Sequence, residues 1–229
     1  MAQDDHAQMS ESFRLGALLA LAGGFLDAYT YLMRGKVFAN AQTGNIVLLG
    51  VNLFEGELQA ALRYLLPILA FAAGVVVAEL VRRRLDGRAA VHWRQAILVI
   101  EMAALAAVAF LPQSLNMAAN AAVSFVCAMQ VEAFRKLHGS AFATTMCTGN
   151  LRSGTEQLYR YAVTGERACR TKGMHYIGII LFFIAGAGLG AWGVGPLGER
   201  AVLLACVPLL AGFVLMFDKR AGARKQDKT

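Results

Sequence analysis

The stretch AQTGNI, residues 41–46, contains a polar tripeptide that recurs in MCTGNL, residues 146–151. Moving the chain by 105 residues (148 − 43) brings the two Thr-Gly-Asn tripeptides into register. Without a gap, the same shift pairs chemically similar residues: Asp27 with Glu132, Ala28 with Ala133, Tyr29 with Phe134, Leu32 with Leu137 and Ile46 with Leu151. Because all these pairs occur in one register, we interpret the two halves of the chain as an internal duplication.

The composition is that of an integral membrane protein. Of the 229 residues, 57% are hydrophobic and 16% are charged, whereas soluble domains carry about 25% charged residues. Apolar runs of about 20 residues are long enough to cross a bilayer. By this measure the sequence predicts six transmembrane helices: Phe13–Met33, Leu62–Val81, Trp93–Leu111, Leu115–Ala133, Gly173–Trp192 and Leu197–Phe217.

The duplication divides these spans into two units. Residues 13–111 form repeat 1 and residues 112–217 form repeat 2, flanked by a polar N-terminus, 1–12, and a basic tail, 218–229. Each unit has three spans, so the second unit enters the membrane from the opposite side. The sequence therefore predicts an all-α membrane fold with two inverted three-helix repeats, a plan found in many transporters.

Basic residues predict the orientation in the membrane. They form three groups: Arg82, Arg83, Arg84, Arg88 and Arg94; Arg152, Arg160, Arg167, Arg170 and Lys172; Lys219, Arg220, Arg224, Lys225 and Lys228. The connections 112–114 and 193–199 contain no Lys or Arg. The positive-inside rule then predicts that both termini and the two central basic loops are cytoplasmic, although Arg34 and Lys36 in the first outer loop oppose it weakly. This distribution explains the net charge of +7 without a nucleic-acid partner.

Each tripeptide is followed by a segment too short to span a bilayer. These segments are Ile46–Phe54 and Leu151–Val163. We expect a broken element in each repeat, in which a loop enters the protein and a short helix leaves it after the Thr-Gly-Asn motif. The Thr and Asn side chains would cap the helix start. The alternative is an ordinary surface loop capped by the tripeptide.

These motifs resemble the signature of the YoaK family, a family of small bacterial six-span membrane proteins of undefined function. The resemblance is carried by Gly24-Phe-Leu-Asp-Ala-Tyr29, Val37-Phe-Ala-Asn40, Thr43-Gly-Asn-Ile-Val-Leu-Leu-Gly50, Ala141-Phe-Ala-Thr-Thr145 and Thr148-Gly-Asn150. It implies a six-span fold in the bacterial cytoplasmic (inner) membrane. It implies no substrate, cofactor or catalytic residue.

Ionisable residues inside predicted spans are functional candidates, because a charge at mid-bilayer costs about 3 kcal/mol or more. Glu101 lies near the middle of its span and is the candidate for a proton or cation site. The alternative is a neutral carboxylic acid hydrogen-bonded to another helix. Asp27 and its repeat partner Glu132 are candidates for a solute pathway, although Arg135, one turn away, is placed to neutralise Glu132.

Three functions remain open at this point. The first is a transporter or channel for a small solute, with a pathway formed by Asp27, Glu132 and the two tripeptides: Thr43, Gly44, Asn45, Thr148, Gly149 and Asn150. The second is a membrane scaffold or accessory subunit, for which no pathway is needed. The third, an intramembrane enzyme, is disfavoured because no nucleophile or metal triad accompanies the acids. We expect no cofactor or metal and no enzyme activity; the oligomeric state stays open.

Overall fold

The computed structural model describes residues 2–85, 93–135 and 147–226, and within these ranges the chain is helical with no strand. The α-helices of the described residues are α1 (Ala2–Met33), α2 (Gln42–Phe54), α3 (Leu58–Leu85), α4 (Trp93–Val108), α5 (Asn116–Ala133), α6 (Cys147–Thr164), α7 (Arg167–Leu197) and α8 (Cys206–Gln226). Two 3₁₀ segments, Gln113–Leu115 and Gly198–Ala205, precede α5 and α8. The basic loop around Arg88 and the motif Ala141–Thr145 lie outside the described residues.

Four described segments are long and apolar enough to cross a membrane: Phe13–Met33, Leu58–Arg84, Gln113–Ala133 and Arg167–Met216. The division into six spans is not confirmed. The predicted third span contains only the 16-residue helix α4, which is about 24 Å long at 1.5 Å per residue. The predicted fifth and sixth spans lie within one apolar segment of 50 residues, which includes α7 and the first half of α8.

The outer surface of the helices is apolar. Leu69 and Val76 of α3, Leu181 of α7 and Val207 of α8 are all more than half exposed. In contrast, the centre of the molecule is α1, whose apolar window is 72% buried, against 22% for the windows of α3 and of residues 167–216. An apolar surface around a buried central helix is suited to lipid rather than to water, so this is a membrane protein.

Glycines allow the long helices to pack closely in pairs. Helix α1 packs on α7, and α3 packs on α5. A Cβ at Gly24 would overlap the Phe183 carbonyl, and one at Gly186 would overlap the Leu21 carbonyl. Small residues at such contacts let helix backbones approach closely within a membrane.

The two short helices lie against the long helix that follows each of them. Helix α2 packs on α3 and α6 packs on α7, while α4 contacts α5 and α8 contacts α1. Gly56 (φ +79°) and Gly165 (φ +71°) make the two connecting turns, a backbone region that glycine adopts at little cost. Both short helices therefore end within a residue of their predicted ends at Phe54 and Val163.

Candidate functional site

The loop between α1 and α2 folds back along α1. Asn40 Nδ2 donates to the Gly23 carbonyl (3.2 Å), and the Asn40 backbone N–H donates to Asp27 Oδ1 (2.6 Å). Gly23 is the middle residue of the apolar segment Phe13–Met33. The loop that leaves the end of α1 thus returns to the level of its centre before α2 begins.

Asp27 is the anchor of this loop. Its side chain is 5% exposed, and the backbone amides of Ala39 and Ala41 face its carboxyl together with that of Asn40. A carboxyl surrounded by backbone N–H groups positions the chain at the start of α2. Asp27 therefore has a structural task in addition to its place beside the cavity described below.

The capping role predicted for the first tripeptide is wrong. Helix α2 begins at Gln42, so the tripeptide lies inside its first turn, and the N-cap residue Ala41 offers no side-chain hydrogen bond. Asn45, fully buried, instead binds the preceding loop: Phe38 N–H donates to its Oδ1 (3.0 Å), and its Nδ2 donates to Phe38 O (2.7 Å) and Gln42 Oε1 (3.0 Å). Asn45 fastens the loop to the helix.

The second tripeptide also lies within a helix. From Cys147, the first described residue after residue 135, the chain is helical, so Thr148, Gly149 and Asn150 are part of α6 rather than a cap before it. Asn150 is 1% exposed. The loop that precedes α6, residues 136–146, lies outside the described residues.

One cavity of about 630 Å³ brings the two helix starts together. Thr43 lines it from α2, and Thr148 and Gly149 line it from α6. Its other polar wall residues are Asp27, Asn40 and Gln42, and its aromatic wall residues are Tyr31, Phe38, Phe71 and Phe183. Among the described residues, no Lys, Arg or His lines this cavity. The remaining candidates of the tripeptides, Gly44, Asn45 and Asn150, do not line it.

Glu101 and Glu132 lie away from the cavity lining. Glu101 is fully buried in α4, where its carboxyl contacts the side-chain amide of Gln130 from α5. Glu132 forms an ion pair with Arg135 (3.6 Å), as expected from the spacing of the two residues. No cluster of His, Cys, Asp or Glu able to hold a metal ion occurs in the described ranges.

Arg34 is a buried residue whose role the sequence did not reveal. Its side chain is 0% exposed, although its position predicted an outer-loop charge. The guanidinium donates to Tyr29 Oη (2.8 Å), to the carbonyls of Val108 (2.9 Å) and Leu111 (2.9 Å), and to Asn116 Oδ1 (3.1 Å). A cation against the carbonyl end of α4 is favourable for the helix dipole, so Arg34 ties α1 to the connection between α4 and α5.

Comparison with known proteins agrees with the motifs. A family profile described as a protein of unknown function (DUF1275) matches residues 15–215. The chain belongs to this family. It is also 38% identical over 64 residues to the UPF0700 transmembrane protein YoaK of Bacillus subtilis (strain 168). That match covers 28% of this chain and 28% of the relative, and no solved structure matches the chain. The resemblance to the YoaK family is thereby confirmed.

Proposed function

We propose that this membrane protein consists of two inverted repeats, α1–α4 and α5–α8. The helix contacts support this arrangement, because exchanging the two halves turns each of the six most extensive helix pairs into another of the six. The α1–α7 pair becomes α5–α3, the α2–α3 pair becomes α6–α7, and the α4–α5 pair becomes α8–α1. All six of these helix contacts occur, so the packing of the helices shows the same duplication as the Thr-Gly-Asn tripeptides in the sequence.

On this basis we infer that the protein is a transporter or channel for a small solute. The observation that carries the proposal is the cavity of about 630 Å³ on which the starts of α2 and α6 converge. Concave sites of 300–1,000 Å³ with mostly apolar walls and a few polar groups are typical of small-molecule binding. A membrane scaffold needs no such cavity, which makes the scaffold the weaker alternative.

The cavity walls suit an uncharged solute with both apolar and hydrogen-bonding parts. The four aromatic rings offer an apolar surface, whereas Gln42, Thr43 and Thr148 offer amide and hydroxyl groups. The charged group in the wall is Asp27, whose carboxyl is already occupied by backbone N–H groups. A cation would find no free carboxylate there, and an anion would meet the charge of Asp27.

We further propose that the protein lies in the bacterial cytoplasmic membrane with both termini in the cytoplasm. The basic groups along the sequence support this orientation. The burial of Arg34 removes one of the two charges that opposed it, because Arg34 is enclosed by protein rather than exposed in an outer loop.

The test is uptake of a panel of labelled metabolites into liposomes that contain the purified protein. Gly149 lines the cavity, and a Cβ added there would meet no atom of the described residues within 4 Å. Gly149→Phe should therefore place an aromatic ring in the cavity beside Thr148 and abolish uptake while the thermal stability stays unchanged. Gly188→Phe is the matched control, because Gly188 also faces open space but does not line the cavity.

Uptake that survives Gly149→Phe would contradict the assigned site. If no metabolite enters faster than into empty liposomes, the scaffold or accessory-subunit function is favoured instead.

A further inference from the structure

Glu101 is a buried acid that the cavity does not use. It occupies the ninth position of the 16-residue helix α4, and its side chain is 0% exposed. No described residue forms an ion pair with it. A carboxylate in such a position would be a charge without a countercharge, which is costly in a protein interior and more so within a membrane.

In the described part of the chain, the helices around α4 present no cation to Glu101. The titratable groups that face it are the thiols of Cys127 on α5 and Cys206 on α8. The described parts of the other elements that contact α4, which are α3 and the 3₁₀ segment Gly198–Ala205, present no charged group to it. Neutral surroundings of this kind favour the protonated acid over the carboxylate.

Gln130 gives this acid two distinct hydrogen-bond arrangements. One terminal atom of the Gln130 amide lies 2.8 Å and 3.1 Å from the two Glu101 oxygens. When this atom is the amide oxygen, it accepts a hydrogen bond from protonated Glu101, and Nε2 lies 3.5 Å from the Leu19 carbonyl of α1. When the amide is turned, Nε2 donates to both oxygens of an ionised Glu101, and the contact with the Leu19 carbonyl loses its donor.

We propose that Glu101 is a proton-binding site whose occupancy is transmitted to α1 through Gln130. With the proton bound, the neutral acid donates to Gln130, and Gln130 donates to Leu19. Loss of the proton to water leaves a carboxylate, turns the amide, and releases α5 from this bond to α1. Cys127 lies near both Glu101 and the cavity residue Asn40, so the proton site is next to the cavity.

This switch lies close to the solute cavity. Val131, adjacent to Gln130, lines the cavity from α5, and Asp27 and Tyr31 line it from α1. A change in the bond between α1 and α5 therefore acts on two of the cavity walls. The proton site itself is independent of solute transport, whereas its coupling to uptake rests on the proposed function.

The experiment is infrared difference spectroscopy of the full-length protein in lipid nanodiscs. At neutral pH the wild type minus Glu101→Gln spectrum should contain the carbonyl band of one protonated carboxylic acid. Gln130→Leu should keep that band and shift it to higher frequency, because the acid loses its acceptor. Glu79→Gln is the control, since Glu79 is an exposed carboxylate paired with Arg82 (3.1 Å), and it should leave the band unchanged.

Absence of the band at neutral pH would overturn the proton site, and a band that Gln130→Leu does not shift would overturn its transmission to α1 through Gln130. The Gln130→Leu variant decides the question even if Glu101→Gln does not fold, because it retains the acid. In liposomes, uptake that depends on pH in the wild type and not in Glu101→Gln supports the coupling. Uptake independent of pH, with the band present, overturns the coupling alone. If the band is present but no solute is taken up, the proton site stands and the transport function fails.

Discussion

Replacing Asn45 with alanine should destabilise the protein, because this amide joins the folded-back loop to α2. The substitution removes three hydrogen bonds, two with the backbone of Phe38 and one with Gln42. It leaves the N–H and the C=O of Phe38 without these partners in a partly buried place. Each unsatisfied buried group costs about 1–3 kcal/mol, whereas hydrogen bonds measured inside a membrane protein average about 0.6 kcal/mol. With two unsatisfied groups and three lost hydrogen bonds, these values give a decrease of about 3 kcal/mol in the free energy of unfolding.

For a chain of this length, 1 kcal/mol lowers the melting temperature by about 2–4 °C. Asn45→Ala should therefore lower it by about 6–12 °C. The four cysteines of the protein are free, and Cys127 is buried. Thermal unfolding in detergent can thus be followed with a dye that fluoresces on reaction with thiols as Cys127 becomes accessible.

Asn52 supplies the matched control in the same helix. Its side chain donates only to the Leu48 carbonyl one turn earlier (2.7 Å), so Asn52→Ala breaks no contact between elements. Alanine also favours the helix by a few tenths of a kcal/mol, and the melting temperature should change by less than about 2 °C. If Asn45→Ala is no more destabilising than Asn52→Ala, the tripeptide does not hold the loop, and the reasoning is refuted.

Two other substitutions test the packing of α1. Gly186→Leu should prevent the protein from eluting as a monodisperse peak in size-exclusion chromatography, because the new side chain would overlap the Leu21 carbonyl. Gly188→Leu should elute normally, since Gly188 faces open space. A normal elution profile for both variants would contradict the close α1–α7 contact. Arg34→Lys should lower the melting temperature by about 4–8 °C, the effect of about 2 kcal/mol, because a lysine cannot reproduce the four directed hydrogen bonds. The exposed Arg83→Lys should leave it unchanged, and equal effects of the two would exclude the buried role of Arg34.

Local patterns in the sequence predicted the features that depend on nearby residues. The apolar runs predicted a helical membrane protein. The i,i+3 spacing predicted the pair Glu132–Arg135. Each of these features is determined within one or two turns of helix, so spacing alone was sufficient.

The sequence could not predict contacts that join distant elements. The sequence predicts a helix-capping role for Asn45 because Asn is common at helix starts. Its hydrogen-bond partner Phe38, however, lies seven residues earlier in a loop. The length of α4 was overestimated, because Ala109–Leu111 are apolar but lie beyond its end at Val108. The cavity was expected at the tripeptides, but which of their side chains would face it depends on how the helices are rotated.

The hydrogen bonds of Arg34 have a consequence for the order in which the chain is made. Its partners Val108, Leu111 and Asn116 are synthesised 74, 77 and 82 residues after it. Asn120, which donates to the Arg34 carbonyl (2.7 Å), comes 86 residues after it. Until the ribosome has passed Val108, the guanidinium at the end of α1 has none of these later partners, and its set is complete only after Asn116. The first half of the protein is thus completed only by the beginning of the second, and a gene fragment encoding one half should not yield a stable product.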